Sequence, residues 1–241
     1  MTVTATAIKT DRRSRRKQQT RGALLEAGMR LFAERGIYAT RIEDITEQAD
    51  VAKGAFYNYF DSKDALVAAL LGAGITVLET DYLLAVSGRG SMEARLAELT
   101  EAHWRFFDDH PEQALLLHQA RGLAHLKTST EGPLRAVMTA YLGAIGRQLP
   151  VASLALAARD LMRLAAAFAG AISGPRSFAI AAGFPVDLSI VRDMVAGGLA
   201  KILQRAERTG ALAGAPSARA PRVRQPTRGA ATPGRDRAGL G

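Results

Sequence analysis

TRIEDITEQADVAKGAFYNYFDSK, residues 40–63, is the stretch that decides how this chain is read. Ile42, Ile45 and Ala49 recur at intervals of three and four, which places them on one face of a helix. Asp50 and Val51 break the pattern, and Lys53 to Tyr59 then has the length of two helical turns. Asp61-Ser62-Lys63-Asp64 follows as the capped start of another helix. Two short helices across a tight turn form the geometry that sets a second helix into the major groove of DNA.

Side-chain chemistry within the stretch assigns its faces. Glu43, Asp44 and Glu47 make the first of the two helices acidic, so it should cross behind the reading helix. Val51, Phe56 and Phe60 are expected to pack inward. Lys53, Gly54, Ala55, Tyr57, Asn58 and Tyr59 are left to face outward. Gly54 permits close approach, the Ala55 methyl can meet a thymine methyl, and the tyrosines can donate to phosphates. Thr40 should cap the first helix and reach a phosphate, with Arg41 as a further phosphate candidate. Lys63 opposes the dipole of the helix it begins, which argues for an external anion. Asp50 occupies a turn position where a left-handed conformation is expected, one that Asp tolerates better than most residues. Ala52 offers no side-chain cap, a loss of about 1 kcal/mol relative to Ser or Thr.

Outward from this stretch every segment reads as helix. Leu24, Leu25, Gly28, Leu31 and Phe32 define an amphipathic helix that Gly36 should stop. A helix from Lys63 to about Ser87 is long enough to join two domains. Ser91, Pro111 and Pro133 each open another, and Pro150 closes the last of these. An Ala-rich helix is expected over 152–173, with a break at Gly174-Pro175, and Asp187 should cap a final helix. The fold class is therefore all-α: an N-terminal three-helix helix-turn-helix domain and a C-terminal helical bundle. The expected divisions are a flexible basic arm at 1–20, the DNA-binding domain at 21–66 with its motif at about 41–60, a helical domain at 67–208, and a disordered basic tail at 209–241.

Charge alone does not single out a nucleic-acid binder. The net charge of the 241 residues is +9, but residues 1–21 hold seven Lys or Arg against one Asp (+6) and residues 211–241 six Arg against one Asp (+5). The remainder is thus −2, and the excess sits at the ends. A basic arm before the motif suits phosphate attraction. The absence of cysteine excludes disulfides and thiolate metal sites and fits a reducing cytoplasm. The longest apolar run, Leu164 to Pro175, is too short for a bilayer, so no membrane partner is expected.

Over residues 21–75 the sequence resembles the TetR family of bacterial transcriptional regulators. The resemblance is carried by an F-x-x-x-G helix end at Phe32 to Gly36, Thr40 before the second helix, K-G-x-F-Y-x-Y-F from Lys53, and S-K-x-x-L from Ser62. It implies a repressor-type regulator that binds a palindromic double-stranded operator as a homodimer and answers to a small-molecule effector. By position it places DNA contacts on Thr40, Lys53, Gly54, Ala55, Tyr57, Asn58, Tyr59 and Lys63. It places the dimer interface on 153–173 and 188–204, where Ala157, Ala158, Ala165, Ala166, Ala169 and Gly170 would allow close approach. Asp50-Val51-Ala52 departs from the family's Gly-Val-Ser turn.

Other candidates are less specific. Trp104, Phe107, Leu116, Tyr141, Met162 and Phe168 could line an apolar effector cavity, with His118 or Tyr141 as its polar anchor. His103, His110, His118 and His125 are spaced by seven, eight and seven, but Pro111 interrupts them, and no metal or cofactor is expected. No phosphate loop, zinc-protease or nucleophile-elbow motif is present, so the chain is not read as an enzyme. The alternative readings are a ligand- or protein-binding helical module that has lost sequence-specific DNA binding, and a non-specific nucleoid protein driven by both basic ends.

Overall fold

A computed structural model describes residues 3–126, 132–154 and 156–209 of the chain. Among them are α-helices and one π-helical segment, with no strand. In order these are α1 (Val3–Ala39), α2 (Ile42–Gln48), α3 (Lys53–Phe56), α4 (Lys63–Val77), α5 (Met92–Asp109), α6 (Pro111–Leu126), α7 (Pro133–Gln148), α8 (Ala158–Ala182) and α9 (Leu188–Thr209). The π-helical segment, Leu78–Leu83, extends α4.

The expected stop signals act where they stand. Gly36 leaves the helical region with φ 82° and ψ 161°, so α1 bends there and its last residues turn toward α2. Ser62 accepts the Ala65 N–H at 3.2 Å and Ser91 the Ala94 N–H at 3.1 Å, each capping its helix. Asp187 accepts the Ser189 N–H at 2.8 Å at the start of α9. Gly183 ends α8 in the left-handed conformation, φ 72°.

Four expectations need correction. The segment 3–20, expected as a flexible arm, is the first part of α1. Its run of Arg, Lys and Gln from Lys9 to Arg21 contains no Gly or Pro and has high helix propensity. The helix expected from Lys53 to Tyr59 is α-helical only to Phe56; beyond it the chain tightens into turns. The helix expected to run regularly to Ser87 becomes π-helical at Leu78. The helix expected over 152–173 begins only at Ala158 and runs through Pro175 instead of breaking there. Pro175 forfeits one backbone hydrogen bond, but Ile172 and Ala179 on either side are buried and hold the helix in line. The expected basic tail lies, from residue 210, outside the described residues.

A continuous core joins the two parts of the molecule. Leu24, Leu31, Phe32, Ile37, Ile45, Phe56 and Phe60 fill the space between α1, α2 and α3, and Leu66 and Val67 of α4 close it from below. Each such side chain contributes roughly 1.5–3 kcal/mol by leaving water. Gly28 permits the close crossing of α1 on α4: a Cβ there would sit 2.7 Å from Leu66 Cδ2. In the larger part α5 packs on α9, and α4 packs on α7. The 21 residues Lys63–Leu83 are long and apolar enough to cross a membrane by length and composition. Here, however, Leu66, Val67, Leu70, Leu71 and Leu78 are buried against neighbouring helices, as in the core helix of a bundle.

Candidate nucleic-acid interface and ligand cavity

The turn between α2 and α3 is built on Asp50, whose φ of 52° places it in the left-handed region. The Asp50 N–H donates to Glu47 O at 3.1 Å and the Val51 N–H to Thr46 O at 3.0 Å, so the turn closes α2 without glycine. Phe56 then anchors α3 from beneath, fully buried and 5.7 Å from the Phe60 ring centroid. Arg21 of α1 lies 5.4 Å over Phe60 and ties the arm's end to this cluster.

With Phe56 inward, Lys53, Gly54, Tyr57 and Asn58 are exposed, and Ala55 and Tyr59 are half-buried. Tyr59 also packs against the core, so its ring is shared between packing and surface. Space around Gly54 is open, leaving its backbone accessible. Lys53 Nζ lies 2.5 Å from Glu43 Oε1. The hydrogen bond from Lys53 holds the Glu43 carboxyl below its ordinary range, and that from Glu43 raises the Lys53 ammonium above its own. Both groups face solvent, where an incoming phosphate can compete for the lysine. Arg41 is exposed; its backbone N–H donates to Asp44 Oδ2 at 3.0 Å, which secures the start of α2.

Two expected contact residues turn inward. Thr40 is completely buried, and its hydroxyl donates to Gly36 O at 2.8 Å, with Leu31 O at 3.3 Å. It satisfies carbonyls left open where α1 bends, and Arg41 takes the N-cap position of α2 that Thr40 was expected to hold. Lys63 donates to Ile37 O at 2.6 Å and Thr40 O at 2.7 Å. These two backbone carbonyls offset its conflict with the α4 dipole from within the chain. Tyr38, 67% exposed beside the motif, was not singled out by the sequence; a bulky aromatic just after a helix-stopping glycine was the available signal.

The α1–α2 junction is also held from α6. Gln119 Oε1 accepts the Ile37 N–H at 2.7 Å, and Gln119 Nε2 reaches Phe32 O at 3.5 Å. Ile37 is therefore gripped at its N–H by α6 and at its carbonyl by α4.

A cavity of about 220 Å³ lies between α5, α6 and α8. Phe107, Ala114, Leu115 and Leu117 form its apolar wall, and His118, Arg121, Ser173, Arg176 and Ser177 its polar wall. A second void of about 20 Å³ shares Phe107 and Leu117 with it and reaches Tyr141. Of the residues expected around an effector, Phe107 and His118 line the main cavity and Tyr141 the smaller one. Trp104 lies 5.5 Å beneath the Arg176 guanidinium, Phe168 packs 5.5 Å edge-on to His103, and Leu116 is plain core. Met162 lines neither space. The sequence missed Arg121 and Arg176; the latter was hidden by reading Gly174-Pro175 as a break.

Buried polar groups accompany the cavity. The Tyr141 hydroxyl has no hydrogen-bond partner among the described residues, and burial pushes its pKa upward. His103 is fully buried, and desolvation pushes its pKa down to about 4. His110 ends α5, 3.5 Å from Glu112, while the side chain of His125 lies outside the described residues. Phe178 of α8 and Ile190, Met194 and Ile202 of α9 are exposed. Ala166 and Gly170 also face outward, whereas Ala165 and Ala169 pack within the subunit.

Residues 24–70 match the sequence model of the bacterial regulatory proteins of the tetR family. The transcriptional repressor KstR2 of Mycobacterium tuberculosis is 32% identical over 106 residues, which are 44% of this chain and 53% of the repressor. The chain thus spans about half the length of that curated relative. The solved structure of a TetR-family transcriptional regulator from Rhodococcus sp. covers 76% of this chain and 97% of its own, with a TM-score of 0.57 at 21% identity. FadR from Bacillus subtilis, solved in complex with stearoyl-CoA, covers 78% and 98% with a TM-score of 0.53 at 17% identity. These two likenesses concern the fold, and the family match falls on the segment whose exposed α3 face was described above. Residues 24–70, which include α2, α3 and the start of α4, are thus similar to the DNA-binding segment of the tetR family of bacterial regulatory proteins.

Proposed function

We propose that this chain is a ligand-responsive, DNA-binding transcriptional regulator of the bacterial cytoplasm, acting as a repressor when a homodimer occupies a palindromic operator. The observation that carries the reading is the segregation of α3. Phe56 fixes it to the core, while Lys53, Gly54, Tyr57 and Asn58 are exposed, Lys53 in a surface ion pair with Glu43. That is the arrangement a groove-reading helix requires. Arg41 and Lys53 are assigned to phosphates, and Gly54, Ala55 and Asn58 to base edges. Tyr57 and Tyr59 flank them. Thr40 and Lys63 become positioning residues, which set the angle of α2 and α4 rather than touching DNA.

The dimer is assigned to α8 and α9. Exposed Ile190, Met194 and Ile202 recur at intervals suited to one helical face, beside Phe178 and the outward Gly170. The cavity between α5, α6 and α8 is assigned to the effector.

Footprinting of the full chain on DNA flanking its own gene tests the proposal. A discrete, symmetric protected site is expected, with log affinity falling linearly with log salt. Sequence-independent coverage would overturn it. Asn58→Ala should change sequence preference, whereas Lys53→Ala should weaken binding to all sequences alike.

A further inference from the structure

We infer that the cavity between α5, α6 and α8 takes a small apolar molecule ending in a carboxylate, with Arg121 as the residue that holds the charge. The inference rests on reading this cavity as the effector site, and concerns the chemistry it selects.

The donors and acceptors around the polar wall are unbalanced. None of the lining residues is acidic. The Ser173 hydroxyl donates to Ala169 O at 2.7 Å and the Ser177 hydroxyl to Ser173 O at 2.9 Å, so each has spent its single proton on the helix behind it. Both can only accept from the groups in front of them. Ser173 Oγ accepts from Arg121 Nη1 at 2.9 Å, and Ser177 Oγ lies 3.1 Å from His118 Nδ1, a contact whose direction follows the imidazole tautomer. The donors this wall leaves for a ligand are therefore the N–H groups of the Arg121 guanidinium that Ser173 does not take.

The two guanidinium groups differ in their state. Arg176 is paired with Asp108 at 2.5 Å, donates to Phe107 O at 2.7 Å and covers Trp104; only its buried Nε has no partner among the described residues. Arg121 has one neutral partner, Ser173, and no carboxylate beside it among the described residues. A half-buried guanidinium with a single neutral hydrogen bond is an incomplete site, because a charge withdrawn from water calls for a counter-charge. Opposite it stand Phe107, Leu115 and Leu117, which have no use for a free inorganic anion. An anion with an apolar body satisfies both walls. At roughly 20–30 Å³ per non-hydrogen atom, a cavity of about 220 Å³ accommodates a body the size of an eight-carbon chain.

Calorimetric titration of the full chain without DNA tests the inference, using octanoate, octyl phosphate, octylamine and octan-1-ol as probes. Octanoate should bind, with octylamine and octan-1-ol weaker by roughly ten- to a hundredfold, the factor expected for one charge-assisted hydrogen-bonded pair. Arg121→Gln should lose the same factor for octanoate only, and Arg121→Lys should recover part of it. If Arg121→Gln fails to fold, Ala114→Leu, which narrows the apolar wall with Arg121 intact, should still exclude octanoate. Equal binding of octylamine, tighter binding of octyl phosphate than octanoate, or no binding of octanoate to a chain that recognises its DNA site would overturn the carboxylate assignment and leave the regulator reading standing. Arg121-dependent octanoate binding that leaves DNA affinity unchanged would uphold the assignment and overturn the effector reading instead.

Discussion

Gln119 and Ile37 are joined by a 2.7 Å hydrogen bond that crosses from α6 to the bend between α1 and α2. His118 and Arg121, on either side of Gln119 in sequence, line the ligand cavity. A shift of α6 that alters the cavity therefore acts on the residue whose carbonyl is also gripped by Lys63. Gln119→Leu leaves the buried Ile37 N–H without an acceptor, at a cost of about 1–3 kcal/mol. Urea unfolding should show that loss, while Gln119→Glu, which keeps the acceptor, should show less of it. The same Leu variant should bind DNA yet respond less to ligand.

Lys63 and Lys53 separate positioning from phosphate contact. Lys63 donates to Ile37 O and Thr40 O, whereas Lys53 is exposed. Lys63→Met should destabilise the fold by about 1.5–3 kcal/mol, as expected for losing charge-assisted hydrogen bonds. It should lower DNA affinity with little change in salt slope. Lys53→Ala should leave stability nearly unchanged and reduce the slope by about one. Equal slope changes in the two variants would return Lys63 to the phosphate contacts.

Asp50 is an L-residue at φ 52°, and Ala52 begins α3 without a side-chain cap. Ala52→Ser should stabilise the protein by about 1 kcal/mol, and Asp50→Asn should be tolerated. Asp50→Val should cost roughly 1–2 kcal/mol, because a β-branched side chain is poorly suited to the left-handed region. Thermal unfolding of the three variants checks the order.

His103 predicts an acid-sensitive fold. Burial holds its pKa at about 4, against about 6.5 in the unfolded chain. The unfolded state therefore takes up a proton that the folded state refuses. The stability due to neutral His103 is complete above pH ~6.5 and is lost as pH falls toward ~4, at up to about 1.4 kcal/mol per pH unit. In His103→Phe the unfolding free energy should depend less on pH across that window.

Local signals were legible where the chain itself supplies the partner. Gly36, Ser62, Ser91, Pro111, Pro133 and Asp187 act within one turn of their own position, and each begins or ends a helix as its chemistry dictates. The left-handed Asp50 was legible for the same reason. The internal partners of Thr40 and Lys63, Gly36 O and Ile37 O, were not legible because they are carbonyls brought near by a bend rather than by helical spacing. Arg121 was missed because its significance depends on Ser173, 52 residues away on another helix. Half of the expected aromatic cavity proved to be core, since helical spacing alone does not distinguish a wall from a filling.

In the proposed homodimer α3 reads a defined sequence twice, once from each subunit. Selection of bound fragments from random double-stranded DNA with the purified full chain tests it most directly. One palindrome should be recovered, and lost on substituting Asn58 and Tyr57. Recovery of fragments with no shared sequence, or of the same fragments after those substitutions, would contradict it.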